Sequence, residues 1–289
     1  LNMADLATLM PAVADTRTIL VALAFLTVGI SLKLALFPLH LWLPNAYTYA
    51  PSVVTAFLAA TATKVAVYIL IRIFFTIFGG VEVFQIKIIG DVLMGLAILA
   101  MVSGSAVAIY QNNVKRMLAY SSVAQIGYMV LGVSFATVTG LTGSIVHLFN
   151  HALIKCALFM ALGCVFMRIG SVQIGDMAGL GRRMPVTMAS FVVSGLSLIG
   201  VPLTVGFVSK WYLIQAALEK GWWPIAVLVL FSSLLAVIYI WRVVEVAYFR
   251  PAPEGGPAPA EAPLSMLAPM WLLTVAAVYF GIDATRTLE

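Results

Sequence analysis

Charge is scarce in this sequence. Only 9% of its 289 residues are Asp, Glu, Lys or Arg, against 63% hydrophobic, and the mean hydropathy is +1.08. That balance excludes a water-soluble fold with a polar surface and leaves an integral membrane protein. Cysteine is nearly absent. Cys156 and Cys164 lie in one apolar run with no CxxC or CxxH spacing, which excludes a disulfide framework and a cysteine metal site and leaves two small apolar packers. The start, LNMADLATLMPAVADTRTIL, has neither a basic stretch nor a small-residue cleavage site. A removed signal peptide is not expected, and the chain reads as beginning partway through a longer protein. Carboxylates are missing from the middle of the apolar runs, since Asp91 and Glu245 fall near predicted helix ends. The net charge of +5 does not point to nucleic acid, because the basic residues are strung between apolar runs and report topology instead.

What is there is a series of long apolar segments. A bilayer core about 30 Å thick takes about 20 apolar residues per helix, and that rule cuts the chain into about eight spans: 17–41, 52–78, 88–110, 119–138, 140–168, 186–209, 223–249 and 264–282. The fold expected is all-α and polytopic, with residues 1–289 forming a single membrane domain. The fourth and fifth spans are joined by a very short turn near TVTGLTG, and RPAPEGGPAPAEAPL (250–264) reads as an irregular loop. An even number of spans puts both termini on one side. The opposite side carries Lys115, Arg116, Arg168, Arg182, Arg183, Arg242 and Arg250, whereas the termini's side has mainly Arg17, Lys87, Lys220 and Arg286. Cytoplasmic loops are enriched in Lys and Arg, so the termini are expected to face outward, into the periplasm of a bacterial cell.

Several groups do not belong in lipid. A lysine at the centre of a spanning helix costs about 2.5–3.5 kcal/mol on insertion scales. Lys33 and Lys64 lie mid-span, out of easy reach of an interface, and Lys155 has more than a turn of apolar residues on each side. Lys210 is nearer a helix end, where a snorkelling anchor beside Trp211 and Tyr212 is as good a reading as a functional one. In HLFNHALIKCAL, residues 147–158, the groups His147, His151 and Lys155 recur every four residues. Each step of four advances about 40° around a helix, so they form one slowly winding stripe about 12 Å long. The bland reading is two core histidines hydrogen-bonded to neighbouring helices. A metal site is disfavoured, because no Glu, Asp or Cys with ligand spacing accompanies them and Lys155 repels a cation. Three titratable groups in register favour a proton relay. Pro38 follows Lys33, and Pro202, with Gly200 and Gly206, precedes Lys210. Proline removes a backbone hydrogen bond and glycine loosens a helix, so the first and sixth spans are expected to be discontinuous. The two breaks lie five spans apart and share a PL step, which hints at a five-helix repeat of the kind that marks ion sites in transporters.

Four stretches, LKLALFPLHLWLPNAYTYAPSVVTAFLAATATKVAVY, VKRMLAYSSVAQIGYMVLG, HLFNHALIKCALFMALG and GVPLTVGFVSKWYL, resemble the antiporter-like membrane subunits shared by proton-pumping NADH:quinone oxidoreductase (complex I) and Mrp-type cation/proton antiporters. The wording is most similar to the Mrp D subunit, and the resemblance runs to about Arg250. It implies about fourteen spans built as two inverted five-helix repeats, of which this chain would supply the seventh to the fourteenth. Lys33 would then be the broken-helix lysine of one half-channel and Lys64 the titratable residue of the next helix. Lys115 would mark a cytoplasmic helix junction, His147, His151 and Lys155 the central axis, and Lys210 the end of the second broken helix. The family's first six spans have no counterpart in this sequence, including the one whose glutamate pairs with the lysine in the Lys33 position. The function implied is that of a subunit of a Na+/proton antiporter conducting protons along buried Lys and His. The alternative is a proton-pumping subunit of a complex I-like enzyme, and a second alternative is a scaffold with no path of its own. The resemblance also implies partner membrane subunits, a bacterial inner membrane, and protons with Na+ as cargo. No flavin, nicotinamide or iron–sulfur signature occurs, so no cofactor is expected and any redox step belongs to partners.

Overall fold

A computed structural model describes residues 2–13, 16–79, 87–252 and 260–284. Arg286, the middle of the 250–264 segment and the side chain of Lys87 lie outside the described residues. Three short helices and two 3-10 turns aside, the described residues form a stack of long apolar helices: α1 (Met3–Leu9), α2 (Arg17–Leu34), α3 (Trp42–Tyr49), α4 (Ser52–Ile71), α5 (Lys87–Ile109), α6 (Val114–Ser134), α7 (Val138–Ile169), α8 (Leu180–Arg183), α9 (Pro185–Ile199), α10 (Val205–Glu219), α11 (Trp223–Phe249) and α12 (Leu264–Ile282), of which α1, α3 and α8 are the short ones. A π-helical turn, Arg72–Ile77, prolongs α4. Among the described residues there is no β-strand, only an isolated antiparallel bridge between Asn113 and Gln173. Among the described residues, seven helices are long and apolar enough to cross a membrane by themselves. The sixth expected span corresponds to the pair α9 and α10, each 15 residues.

The long helix α7 organises the bundle. At 32 residues it measures about 48 Å, and α4, α6, α9, α10 and α12 all pack along it. Its start is fixed by Thr137, whose hydroxyl accepts from the Gly140 N–H at 3.1 Å, and its end by Gly170 in the left-handed conformation. Helix α6 is almost wholly enclosed, which is why the polar groups on it face protein and not lipid. By contrast, Phe25, Val28, Phe57 and Leu234 are exposed, as the apolar rim of a membrane protein should be.

Both expected helix breaks are present. Helix α2 ends at Ala35 in the left-handed region (φ 62°), and residues 35–41, Pro38 among them, separate it from α3. The Trp42 indole N–H crosses this gap to the Leu32 carbonyl at 2.9 Å, a second bond to an acceptor that the Ala35 N–H also reaches, at 3.2 Å. Helix α9 ends at Gly200 (φ 93°) in a Schellman closure: the Gly200 N–H reaches the Ser197 carbonyl at 3.1 Å and the Val201 N–H the Leu196 carbonyl at 3.1 Å. Pro202 follows, where it cannot continue the helix. Gly206 lies not in the break but in the first turn of α10, where a β-carbon would fall 1.8 Å from the Ser197 carbonyl oxygen. Only glycine lets the two half-helices meet so closely. Gly206→Ala is therefore expected to destabilise the subunit by about 3 kcal/mol or more. Thermal denaturation of the assembled variant checks this, and an unchanged midpoint would contradict the close approach.

Two span boundaries differ from expectation. The fourth span runs 114–134 and not 119–138, because Asn113 caps it (Oδ1 accepts from the Arg116 N–H at 3.1 Å) and Lys115 and Arg116 sit inside its first turn. A hydropathy cut starts only after such charges. The sixth runs on beyond 209 to Glu219, since the break restarts a helix instead of ending the span.

Candidate functional site

The sites of the two breaks and the axis of α7 bring five titratable side chains into the interior: Lys64, His147, His151, Lys155 and Lys210 are all buried. None has a carboxylate partner among the described residues. Lys64, on α4, donates to the Ala59 carbonyl and lies 3.5 Å from the Thr63 hydroxyl. Lys155, on α7, donates to the Leu118 carbonyl at 2.6 Å and to the Ser121 hydroxyl, both on α6. The amine is thus held by neutral acceptors alone, an arrangement that leaves its charge free to change.

The two histidines stack face to face, ring centroids 6.1 Å apart and planes within 5°. His147 is fully engaged: its Nδ1 is 2.8 Å from the Ser209 hydroxyl on α10 and its Nε2 is 2.9 Å from Gln125 Oε1 on α6. Facing the Gln125 oxygen, Nε2 carries the proton of the neutral ring and Ser209 donates to Nδ1. A second proton on His147 would turn Nδ1 into a donor, and the Ser209 hydroxyl can then swing to the Gly206 carbonyl at 3.3 Å. His151 is the opposite case. Both of its ring nitrogens are buried with no hydrogen-bond partner among the described residues, none of which fixes its tautomer. With one histidine held by Gln125 and Ser209 and its neighbour lying parallel to it, the pair does not converge on a shared metal position.

Lys210 does not lie as an interfacial anchor would. It does not reach outward beside Trp211. Its amine turns into the second break and donates to the Leu198 and Ile199 carbonyls at 3.1 and 2.7 Å, capping the C-terminal end of α9, where the helix dipole favours a cation. It also sits 4.9 Å over the Tyr128 ring, and that ring is 5.5 Å from His147. Nearby, Asn150 on α7 donates to the Val205 carbonyl at 2.6 Å and so ties the start of α10 to the axis. Lys115 is buried at the other end of α6. It donates to the Ala50 carbonyl at 3.1 Å, between α3 and α4, and lies 5.7 Å from the Phe166 ring.

Lys33 departs from expectation. It is in the last turn of α2, next to the break, but its side chain is exposed and not buried. Helix α2 is covered mainly by α4, and Lys33 projects from the uncovered face together with Leu32, which is 51% exposed. The sequence reading also passed over Gln125, Ser121 and Ser209, the groups that hold His147 and Lys155. Their only signal was a polar side chain at a position inside an apolar span.

A helical membrane bundle with two interrupted spans, each with a lysine at the interruption, and a buried line of lysine and histidine along the helix between them is the architecture of an antiporter-like membrane subunit. The chain belongs to the NADH:quinone oxidoreductase/Mrp antiporter transmembrane family, whose pattern matches residues 1–236. It is 43% identical, over 98% of its length, to the NADH-quinone oxidoreductase subunit N of Desulforudis audaxviator, of which it covers 58%. Among solved structures it is similar to a chain of the Mrp complex from Dietzia sp. DQ12-45-1b, with 27% identity, a TM-score of 0.90, and 99% of this chain and 60% of that one covered. It is also similar to a chain of respiratory complex I from Thermus thermophilus, with 27% identity, a TM-score of 0.76, and 95% and 59% covered. The chain therefore spans little more than half the length of the proteins it matches. The subunit N relative favours the complex I-like alternative over the Mrp D expectation.

Proposed function

We propose that this chain is the C-terminal part of a proton-translocating subunit of a complex I-like, quinone-reducing assembly, and that it forms one membrane domain. The observation that carries the reading is the uncompensated row: Lys64, Lys155, His147 and Lys210 lie buried along and beside α7 with neutral partners, and His151 among them with none. A proton placed on one member raises the cost of charge on the next, because like charges repel by several kcal/mol at short range in a weakly screened interior. Charge is then passed along the membrane midplane, with Lys33 and Lys115 at the margins of the row, where protons enter or leave. Arg242, which donates to Asn112 Oδ1 at 3.1 Å at the 109–112 corner, together with Lys115 and Arg168, supports a cytoplasmic face on that side of a bacterial inner membrane. Both ends of the chain would then face the periplasm. Na+/proton exchange in an Mrp-type assembly is the second reading, supported by the closeness of the fold to the Mrp chain.

Affinity purification of the full subunit from its native membrane, followed by reconstitution, separates the two. The expected outcome is a set of partner subunits whose quinone reduction drives proton movement across the vesicle membrane. Sodium-driven proton exchange in a preparation without redox activity would overturn the complex I-like assignment.

A further inference from the structure

Away from the buried row, an apolar groove of about 720 Å³ opens on the lipid-facing side between α4, α7 and α12. Phe57, Cys156, Phe159, Met160, Gly163 and Met266 are among its walls. Along α7 it runs from Cys156 to Met167, about 16 Å at about 1.5 Å per residue. Its deep end is wholly apolar, whereas its outer end is cationic. Lys115 reaches that end, donating to the carbonyl of Ala50, next to the wall residue Pro51, and facing the wall residue Phe166. The exposed Arg168 follows Met167 and is tied to the Glu261 carbonyl at the start of α12. The helices α4 and α12 both begin here, behind Pro51 and Pro263, with no side-chain cap on their first N–H groups. The Ser52 hydroxyl, also in the wall, is buried without a partner. Among the described residues the one carboxylate close by, that of Glu261, is already engaged by the Val186 N–H and the Thr187 hydroxyl at 2.5 and 2.7 Å. Helix starts without a side-chain cap, two cations and an acyl-sized apolar trough in line fit one ligand chemistry. We propose that the groove holds an acyl chain of an anionic phospholipid, with its phosphate at the Lys115 and Arg168 end. This does not rest on the conduction reading.

The test uses the assembly containing the full subunit, reconstituted in phosphatidylcholine vesicles. The probe is phosphatidylglycerol carrying a photoreactive group on one acyl chain, compared with phosphatidylcholine labelled identically. Cross-links at Cys156, Met160 or Phe57 are expected to be at least about tenfold more abundant from the anionic probe, given two cations at the headgroup. Arg168→Ala should reduce that preference while acyl labelling persists. Gly163→Phe, which pushes a ring between Ser52 and Met266, should remove labelling. If Gly163→Phe does not assemble, wild-type Cys156 offers a second readout: alkylation by a membrane-permeant maleimide should be slowed by added phosphatidylglycerol. Equal labelling by both probes would overturn the proposal, as would cross-linking of the groove to another polypeptide segment in place of lipid, or Cys156 reactivity indifferent to phosphatidylglycerol.

Discussion

Replacing His151 by Gln is expected to lower proton flux at least about tenfold while leaving the assembled subunit intact. The reasoning turns on what His151 does not do. A histidine kept as structural glue is held by hydrogen bonds, as His147 is by Gln125 and Ser209, and its removal leaves those partners stranded at a cost of about 1–3 kcal/mol. His151 has no such partners, and its contact is the parallel face of His147. Gln fills similar space and keeps hydrogen-bonding capacity but does not titrate near neutral pH. Stability should therefore be little changed. Proton flux in reconstituted vesicles, measured with a pH-sensitive dye beside a thermal melt, separates the roles: normal flux with a lowered melting point would make the stripe a packing device.

The second large effect is expected at Lys210. Its amine closes the α9 end of the break by two hydrogen bonds to carbonyls. Arg can make the same bonds and keeps the positive charge, but it does not give up a proton at any accessible pH. Lys210→Arg should thus assemble and retain the break yet conduct at least about tenfold more slowly. Lys210→Met should lose both conduction and the cap, and the cap alone is worth about 1.5–3 kcal/mol for bonds from a charged donor. Unimpaired flux in Lys210→Arg would show that the lysine only caps a helix.

The features legible in the sequence were those with a local cause. Pro38, Pro202 and Gly200 interrupt helices through their own backbone chemistry, so both discontinuous spans could be placed from composition alone. The four-residue spacing of His147, His151 and Lys155 fixed them on one side of α7 without knowledge of its neighbours. What escaped depends on packing between helices. Gln125, Ser121 and Ser209 hold the row only because α6 and α10 lie against α7 at those points, and a single glutamine or serine in an apolar run has no periodicity to mark it. The same limit produced the error at Lys33: insertion cost says that a mid-span lysine needs a reason, but only the packing of α2 shows which way it points. Lys210 was ambiguous for the same cause, since an anchor and a cap differ by the direction of one side chain.

The most direct test of the buried row is proton translocation by the reconstituted assembly with Lys155→Met, a change that keeps an unbranched side chain one atom shorter and removes its titratable amine. Helix α7 is expected to remain packed against α6, and the variant assembly to purify with its full set of partners. If the row carries protons, flux per turnover should fall at least about tenfold, because the row loses one of its titratable carriers. Wild-type flux in a fully assembled Lys155→Met preparation would contradict the account.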